Sequence, residues 1–312
     1  MKKELIYGCM GLGGDWDDNP PSKEDYKLAA QAVEAALEIG ISHFDHADIY
    51  KLGKSERVFG EVLKNNPGLR NKIRLQSKAG ICYHNGIEMS NIYNLSKPYL
   101  LKQVDGILKR LHTDYLDVFL LHRPDPLMNA GEIAETFDEL KQKGKVKAFG
   151  VSNMSVSQIQ LLQNYIQEPM EANQVQLSLG HALMIDSGVL VNRVNTVDYT
   201  GVDGMLEYAQ LNSLTIQAWG AMDGGRFSGN FELATNEDKR TIQLIRQLAE
   251  KYNTTPSSLV LAWLFMIPGR IQPVIGTTNV ERIRECEQAT TLELSKDDWY
   301  DMWIAARGQR IP

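Results

Sequence analysis

The sequence predicts a closed (β/α)8 TIM barrel. Short β-rich runs alternate with longer amphipathic stretches along all 312 residues, the pattern of a parallel sheet joined by crossover helices. About eight such units occur, in a chain of barrel length. The fourth run, residues 115–121, is apolar except for Asp117, as a strand covered on both faces requires. A prior of roughly 150 residues per domain would allow two domains. No Ser/Gly/Pro-rich linker, charge block or internal repeat divides the chain, however, so one barrel domain over residues 1–312 is expected. An open dinucleotide-binding sheet would place GxGxxG after the first strand, opening directly into a helix. Gly11, Gly13 and Gly14 do follow a strand, but Asp15, Asp17, Asp18 and Pro20 intervene before any helix.

The elements follow in order. The run 7–10 leads into the glycine-rich segment 11–14. Ser22 and Asp25 form a capping box for a helix over 23–39, with Leu28, Ala29, Val33, Ala36 and Leu37 on one face and Gly40 as its stop. Then come the run 41–44, a helix near 55–65, a strand over 73–77 and a helix near 96–111. The run 115–121 precedes a helix near 131–143, and a strand over 146–151 precedes a helix over 155–165. Strands over 172–177 and 215–219 follow, then helices near 239–252 and 256–266, a strand over 271–275 and two closing helices. The stretch around Trp263 and Met266 reads as a core-facing helix rather than a ligand site.

Composition excludes several functions. With 33 Lys+Arg against 39 Asp+Glu, the net charge is −6 and no basic cluster offers a footprint for nucleic acid. Cys9, Cys82 and Cys286 are odd in number and far apart, so neither a disulfide frame nor a metal site is expected. The opening stretch turns to glycine and aspartate before any long apolar region, and no apolar run approaches about 18 residues. Neither a signal peptide nor a membrane span is therefore expected, and a reduced cytoplasmic location follows. No long apolar stripe demands an oligomer, so a monomer or weak oligomer is expected.

In such a barrel the site is built where strands end at their C-terminal side. The second run ends in Asp45-His46-Ala47-Asp48-Ile49-Tyr50, the third in Gln76-Ser77-Lys78, and the fourth in His122-Arg123-Pro124. The fifth ends in Ser152-Asn153, the sixth carries Asn173-Gln174, the seventh ends at Trp219, and the eighth runs into Gly276-Thr277-Thr278-Asn279. A tyrosine alone, with a pKa near 10, is a poor proton donor at neutral pH. A neighbouring ammonium lowers that value, a carboxylate keeps the ammonium charged and placed, and a neutral imidazole orients a carbonyl. Tyr50, Lys78, Asp45 and His122 together suit protonation of the oxyanion formed when a carbonyl accepts hydride, the hydride coming from a cofactor. Taken singly, each has a blander reading: a turn cap, a packed ring, a solvated charge, a core histidine.

Together these residues resemble the aldo-keto reductase family. The segments are Gly40-Ile-Ser-His-Phe-Asp45-His-Ala-Asp-Ile-Tyr50, Ser77-Lys78, Leu121-His122-Arg-Pro124, Lys145-Val-Lys-Ala-Phe-Gly-Val-Ser-Asn153, Asn173-Gln174-Val175, and Val274-Ile275-Gly276 with Arg282 and Glu285. They run in the family's order from about residue 5 to 290 and look most like a bacterial branch of NADP-dependent oxidoreductases. The resemblance implies Tyr50 as general acid, Lys78 as the group that tunes it, Asp45 as the lysine's partner and His122 as orienter of the carbonyl. It further implies NADP(H) as cofactor. Ser152, Asn153 and Gln174 would hold the carboxamide and Trp219 would stack on the nicotinamide. Gly220 and Met222 would lie along the cofactor, with Gly276, Thr277, Thr278, Arg282 and Glu285 at its adenosine-phosphate end. Asn279 can cap a helix there, and its free N–H groups with Arg282 attract a phosphate monoester.

The sequence departs from that pattern in four places. His46 replaces a threonine after Asp45 and is either a partner of the site or structural. Gly276 stands where many members carry a lysine for the 2′-phosphate. Gly220 replaces a serine, so amides of residues 220–225, with Arg226, would serve the pyrophosphate. Cys286 replaces an asparagine at adenine. Trp16, Tyr83, Met184 and Trp219 are candidates to wall an apolar pocket. Arg123 either meets a substrate carboxylate or forms an ion pair within its loop. The expected substrate is a small aldehyde or ketone. Two other readings stand beside the reductase: a nucleotide-binding, redox-sensing regulatory subunit, and a metal-dependent barrel hydrolase, which would need several His or carboxylate ligands at the strand ends.

Overall fold

Eight parallel strands close on themselves. They are β1 (Ile6–Gly8), β2 (His43–Asp45), β3 (Arg74–Ala79), β4 (Leu116–Leu121), β5 (Val146–Ser152), β6 (Ala172–Gln176), β7 (Thr215–Trp219) and β8 (Arg270–Ile275). Each pairs with the next in sequence, and β1 closes against β8 through Ile6 beside Val274 and Tyr7 beside Ile275. The computed structural model describes residues 2–83, 91–190, 201–229 and 231–311.

The outer layer comprises α1 (Lys23–Glu38), α2 (Lys54–Asn65), α3 (Lys97–Arg110), α4 (Ala130–Gln142), α5 (Val156–Gln163), α6 (Leu183–Val189), α7 (Met205–Leu211), α8 (Lys239–Lys251), α9 (Pro256–Phe265), α10 (Val280–Arg284) and α11 (Lys296–Arg307). Local chemistry starts these helices where the sequence predicts. Ser22 accepts from the Asp25 amide while the Asp25 carboxylate accepts from the Ser22 amide, and Ser155 with Gln158 repeats the device for α5. Gly40 follows α1 at φ 83°, a conformation open to glycine at little cost. Helix α9 is buried on nearly all sides, Trp263 and Leu259 included, so its aromatic content belongs to the core. Tyr7, Phe44, Phe59 and Phe119 are likewise fully buried. Each large apolar side chain so placed contributes about 1.5–3 kcal/mol through the surface it removes from water.

Asp117, the polar exception in β4, is accounted for. Its carboxylate accepts from the Leu75 amide at 2.9 Å and pairs with Arg70 at 2.9 Å and Lys147 at 3.0 Å, so the strand tolerates it at the barrel's outer edge. Three features lie outside the sequence reading. A two-stranded antiparallel ribbon joins Ile81–Tyr83 to Asn91–Tyr93, and the short helices α6 and α7 lie between β6 and β7. Such elements are too brief to show a period. Among the described residues, no helix is long and apolar enough to cross a membrane, and all three cysteines are free.

Candidate active site

Period-two alternation decides which polar side chains enter the barrel. Asp45 on β2 and Lys78 on β3 both point inward and are almost completely buried. The Lys78 ammonium donates to Asp45 Oδ1 at 2.8 Å, to Oδ2 at 2.7 Å and to the His46 carbonyl at 2.7 Å. It lies 4.8 Å from the centroid of the Tyr50 ring. Tyr50 sits in a short turn after β2, and His122 meets its ring edge-on, centroids 5.9 Å apart. Four side chains from three strand ends thus converge on one spot.

The electrostatics differ from expectation in one respect. Burial raises the Tyr50 phenol above its ordinary value; Lys78 pulls it down, as the sequence predicts, but Asp45 adds to the rise and the net shift is upward. The phenol is therefore held neutral, with its proton. Burial also opposes the Lys78 charge, yet Asp45 and Tyr50 outweigh it and raise the ammonium above the usual lysine value. Burial, with Lys78 and Arg123 nearby, drives His122 far below the ordinary histidine value, so its ring is neutral.

Beside this cluster, β5, β6 and β7 end in a polar wall. Gly150 lets β5 and β6 approach: an added Cβ would lie 2.5 Å from the Ala172 carbonyl. Ser152 Oγ donates to the Gln174 carbonyl at 2.8 Å. Asn153 turns out of the strand at φ 56°, a left-handed conformation asparagine tolerates. Its carboxamide donates to Ser152 Oγ at 2.8 Å and accepts from Trp219 Nε1 at 3.0 Å. The indole is thereby held at a fixed tilt.

One cavity of about 720 Å³ runs from this cluster to the opposite rim. Asp45, Tyr50, His122, Arg123, Ser152, Asn153, Gln174, Trp219, Gly220, Met222, Gly276, Thr277, Thr278, Arg282 and Glu285 all line it. Lys78 lies just behind the lining. At the far rim, the Asn279 side chain accepts from the Arg282 amide at 3.1 Å and caps α10, while the Arg282 guanidinium is exposed and has no side-chain partner among the described residues. Gly276 has open space around it: an added Cβ would come no nearer than 3.9 Å to the Gly8 carbonyl.

Other expectations are corrected. Trp16 does not line the cavity; half-exposed, it carries the Lys51 ammonium over its ring at 5.4 Å. Met184 is buried in the core instead. The Tyr83 side chain lies outside the described residues. Arg226 pairs with Asp238 and lies over Phe227, so its charge is committed away from the cavity. His46 serves the site through its backbone carbonyl, which accepts from Lys78, while its side chain is structural: among the described residues neither ring nitrogen has a hydrogen bond, the ring packs on Phe59 at 4.6 Å, and burial lowers its pKa to about 3. Cys286 is turned inward, its thiol donating to the Arg282 carbonyl at 3.3 Å. Arg123 makes no ion pair in its loop; among the described residues it has no hydrogen-bonding partner.

Two buried glutamines, Gln76 and Gln217, escape the sequence reading. Gln76 donates to Asp45 Oδ1 at 2.6 Å and the two glutamines bond to each other. The signal was present, since each stands two positions before an inward-facing residue of its strand, Lys78 and Trp219. Met10 and Ser257 also line the cavity without having been singled out.

A closed parallel barrel whose strand ends gather a carboxylate, an ammonium, a phenol and a neutral imidazole at the head of one long cavity defines a class of barrel oxidoreductases. The family model for the aldo/keto reductase family matches residues 4–305, and the chain belongs to that family. An uncharacterized oxidoreductase of Bacillus subtilis, YcsN, is 34% identical over 305 residues, covering 96% of this chain and 95% of its own. A 6-dehydroglucose reductase of Agrobacterium fabrum is 31% identical over 311 residues, covering 98% and 95%. Among solved structures, a glycerol dehydrogenase from Gluconobacter oxydans superposes with a TM-score of 0.79 at 21% identity, covering 99% of this chain and 93% of that one, and is similar in fold.

Proposed function

We propose that this protein is an NADPH-dependent reductase that converts a small aldehyde or ketone to the alcohol, with Tyr50 as proton donor. The observation that carries this reading is the continuity of one cavity from the Tyr50–Lys78–Asp45–His122 cluster to the free Arg282 guanidinium. The residues fit a nicotinamide nucleotide. Ser152, Asn153 and Gln174 supply amide and hydroxyl groups for a carboxamide, Trp219 offers a flat ring, glycines 220, 224 and 225 give a backbone wall, and Thr277 and Arg282 suit a phosphate monoester. When bound, NADPH would supply the hydride that a carbonyl carbon accepts, chemistry no side chain performs.

The chain's own groups do the rest. Neutral His122 donates a hydrogen bond that orients the carbonyl oxygen. Tyr50 keeps its proton at neutral pH and gives it up as negative charge develops on that oxygen. Lys78 stabilises the phenolate left behind, and Asp45 holds Lys78 in place. Arg123, beside His122 and without a hydrogen-bonding partner among the described residues, suits a substrate with a carboxylate or several hydroxyls, in keeping with the 6-dehydroglucose named for the Agrobacterium relative. We place this activity in a single barrel domain working in the reducing cytoplasm, in keeping with the free cysteines.

The test is NADPH consumption with a panel of hydroxylated and carboxylated aldehydes. Tyr50→Phe should lower kcat by about 10²–10⁴-fold and leave the Kd for NADP⁺ unchanged. A wild-type protein that binds NADP⁺ but turns over no carbonyl would overturn the reading.

A further inference from the structure

The barrel interior holds a row of amides that proton transfer does not require. Gln76 is 0% exposed and Gln217 1% exposed. Gln76 Nε2 donates to Asp45 Oδ1 at 2.6 Å and to Gln217 Oε1 at 2.8 Å; Gln217 Nε2 donates back to Gln76 Oε1 at 2.9 Å. Gln174 Nε2 then donates to Gln217 Oε1 at 3.1 Å. Apolar side chains would fill this space without the cost of desolvating amides, so the row has to be satisfied link by link to be tolerated at all.

One end fixes its direction. A carboxylate paired to Lys78 accepts hydrogen bonds and has none to give, so Gln76 has to present its NH₂ to Asp45. Its Oε1 then accepts from the NH₂ of Gln217, and Gln217 Oε1 accepts from both Gln76 and Gln174. The last link is thereby oriented as well: Gln174 spends its NH₂ inward and keeps its carbonyl oxygen for the cavity that it lines. An isolated amide could turn over and present either end. This one is held.

We propose that Gln76 and Gln217 are positioning residues that carry the hydrogen-bond polarity of the Asp45 carboxylate across the barrel to Gln174, fixing Gln174 as an acceptor for the nicotinamide carboxamide NH₂. The inference rests on the nucleotide reading given above. A Gln174 turned over would set one NH₂ against another, and a nicotinamide carboxamide would lose that acceptor. The same row thus ties the groups that manage the proton to the wall that receives the cofactor.

The experiment measures Kd by calorimetry for two ligands. One is NADP⁺; the other is 2′-phospho-ADP-ribose, which keeps the phosphates and adenosine but lacks the nicotinamide. Gln217→Met, close in shape but without an amide, should weaken NADP⁺ binding about tenfold, as loss of one oriented hydrogen bond does. It should leave the fragment's Kd unchanged, which also certifies the fold. In a Gln174→Met background the same substitution should have no further effect on NADP⁺. Gln76→Met breaks the row one link earlier and should give the same pattern; it decides the matter if Gln217→Met does not fold. Equal losses for both ligands, no loss for NADP⁺, or effects of Gln217→Met and Gln174→Met that simply add would each overturn the proposal. If the wild-type protein bound neither ligand, the nucleotide reading itself would fall, a result separable from failure of the row alone.

Discussion

The two ends of the cavity are built on opposite principles. At the Tyr50 end the two charges that face the phenol are buried and paired with each other: Asp45 accepts from Lys78 and Gln76, and Lys78 finds a third acceptor in the His46 carbonyl. At the Arg282 end the cation stands exposed, and the polar groups around it bond to one another rather than to it: Asn279 caps a short helix and Ser257 donates to the Glu285 carboxylate at 3.1 Å. The contrast follows from what each end has to do under the proposed reaction. Proton transfer requires fixed groups in a low-dielectric setting, where an unpaired charge is costly, so the protein has to supply its own counter-charges. A phosphate brings its charge with it, and the protein needs only to leave a cation available. Substitutions at the first end should therefore cost stability as well as activity, whereas those at the second should cost affinity alone.

The sharpest way to break the comparison is Lys78→Met. It strands the buried Asp45 carboxylate, and truncating one partner of a buried pair typically costs about 3–5 kcal/mol. Urea unfolding of the ligand-free protein should register a loss of that size. The double variant Lys78→Met with Asp45→Asn should recover part of it, because no unpaired charge remains. A Lys78→Met protein within about 1 kcal/mol of wild type would mean that this end is not organised around a buried ion pair.

A second difference appears on acidification. Burial holds His43 and His46 at about 3 and His122 far below its ordinary value, whereas unfolded histidines titrate near 6.5. Between those values the unfolded chain binds more protons than the native one. The stability these groups contribute is thus complete above about pH 6.5 and is lost as pH falls below it. His43 and His46 should each cost about 2 kcal/mol between pH 7 and 5. Asp48 acts in the opposite sense: burial and Glu56 raise its carboxyl to about 7, so the native state gains a proton over the same interval and offsets roughly one histidine. Glu56 and Asp223, also raised by burial, act in the same sense as Asp48, so the expected outcome is a net loss smaller than the histidines alone would give, read from the urea midpoint at the two pH values. His46→Leu should make the dependence shallower by about one proton. An unchanged slope would show that His46 does not titrate on unfolding.

How far all this could be read from the sequence also divides by region. The barrel was legible because strand–helix alternation and caps such as Ser22–Asp25 are local. The residues at the strand ends were legible because an unusual group there breaks an apolar run. What resisted reading depends on contacts between distant segments. That Arg226 is committed to Asp238, or that Trp16 stands clear of the cavity, follows from how loops fold back, which no spacing encodes. The upward shift of Tyr50 depends on burial, and the neighbour Lys78 alone suggested the opposite. Gln76 lies between: its alternation with Lys78 points it inward, but its partner on β7 is 141 residues away.

The smallest effect tests the exposed end. Arg282→Ala removes a free cation that holds nothing else in place, so the unfolding midpoint should stay within the ±0.5 kcal/mol usual for surface substitutions. Under the proposed cofactor assignment it should raise the Kd for NADPH about tenfold, or about 1.4 kcal/mol, and leave NADH nearly unaffected, because only the former carries the 2′-phosphate. The ratio of the two affinities is the informative quantity. Equal losses would place Arg282 against the pyrophosphate or adenine, groups both cofactors share, and would shift the choice between them to Thr277 and the open space beside Gly276. A large loss of stability would instead mean that the exposed end, like the buried one, depends on its charges to fold.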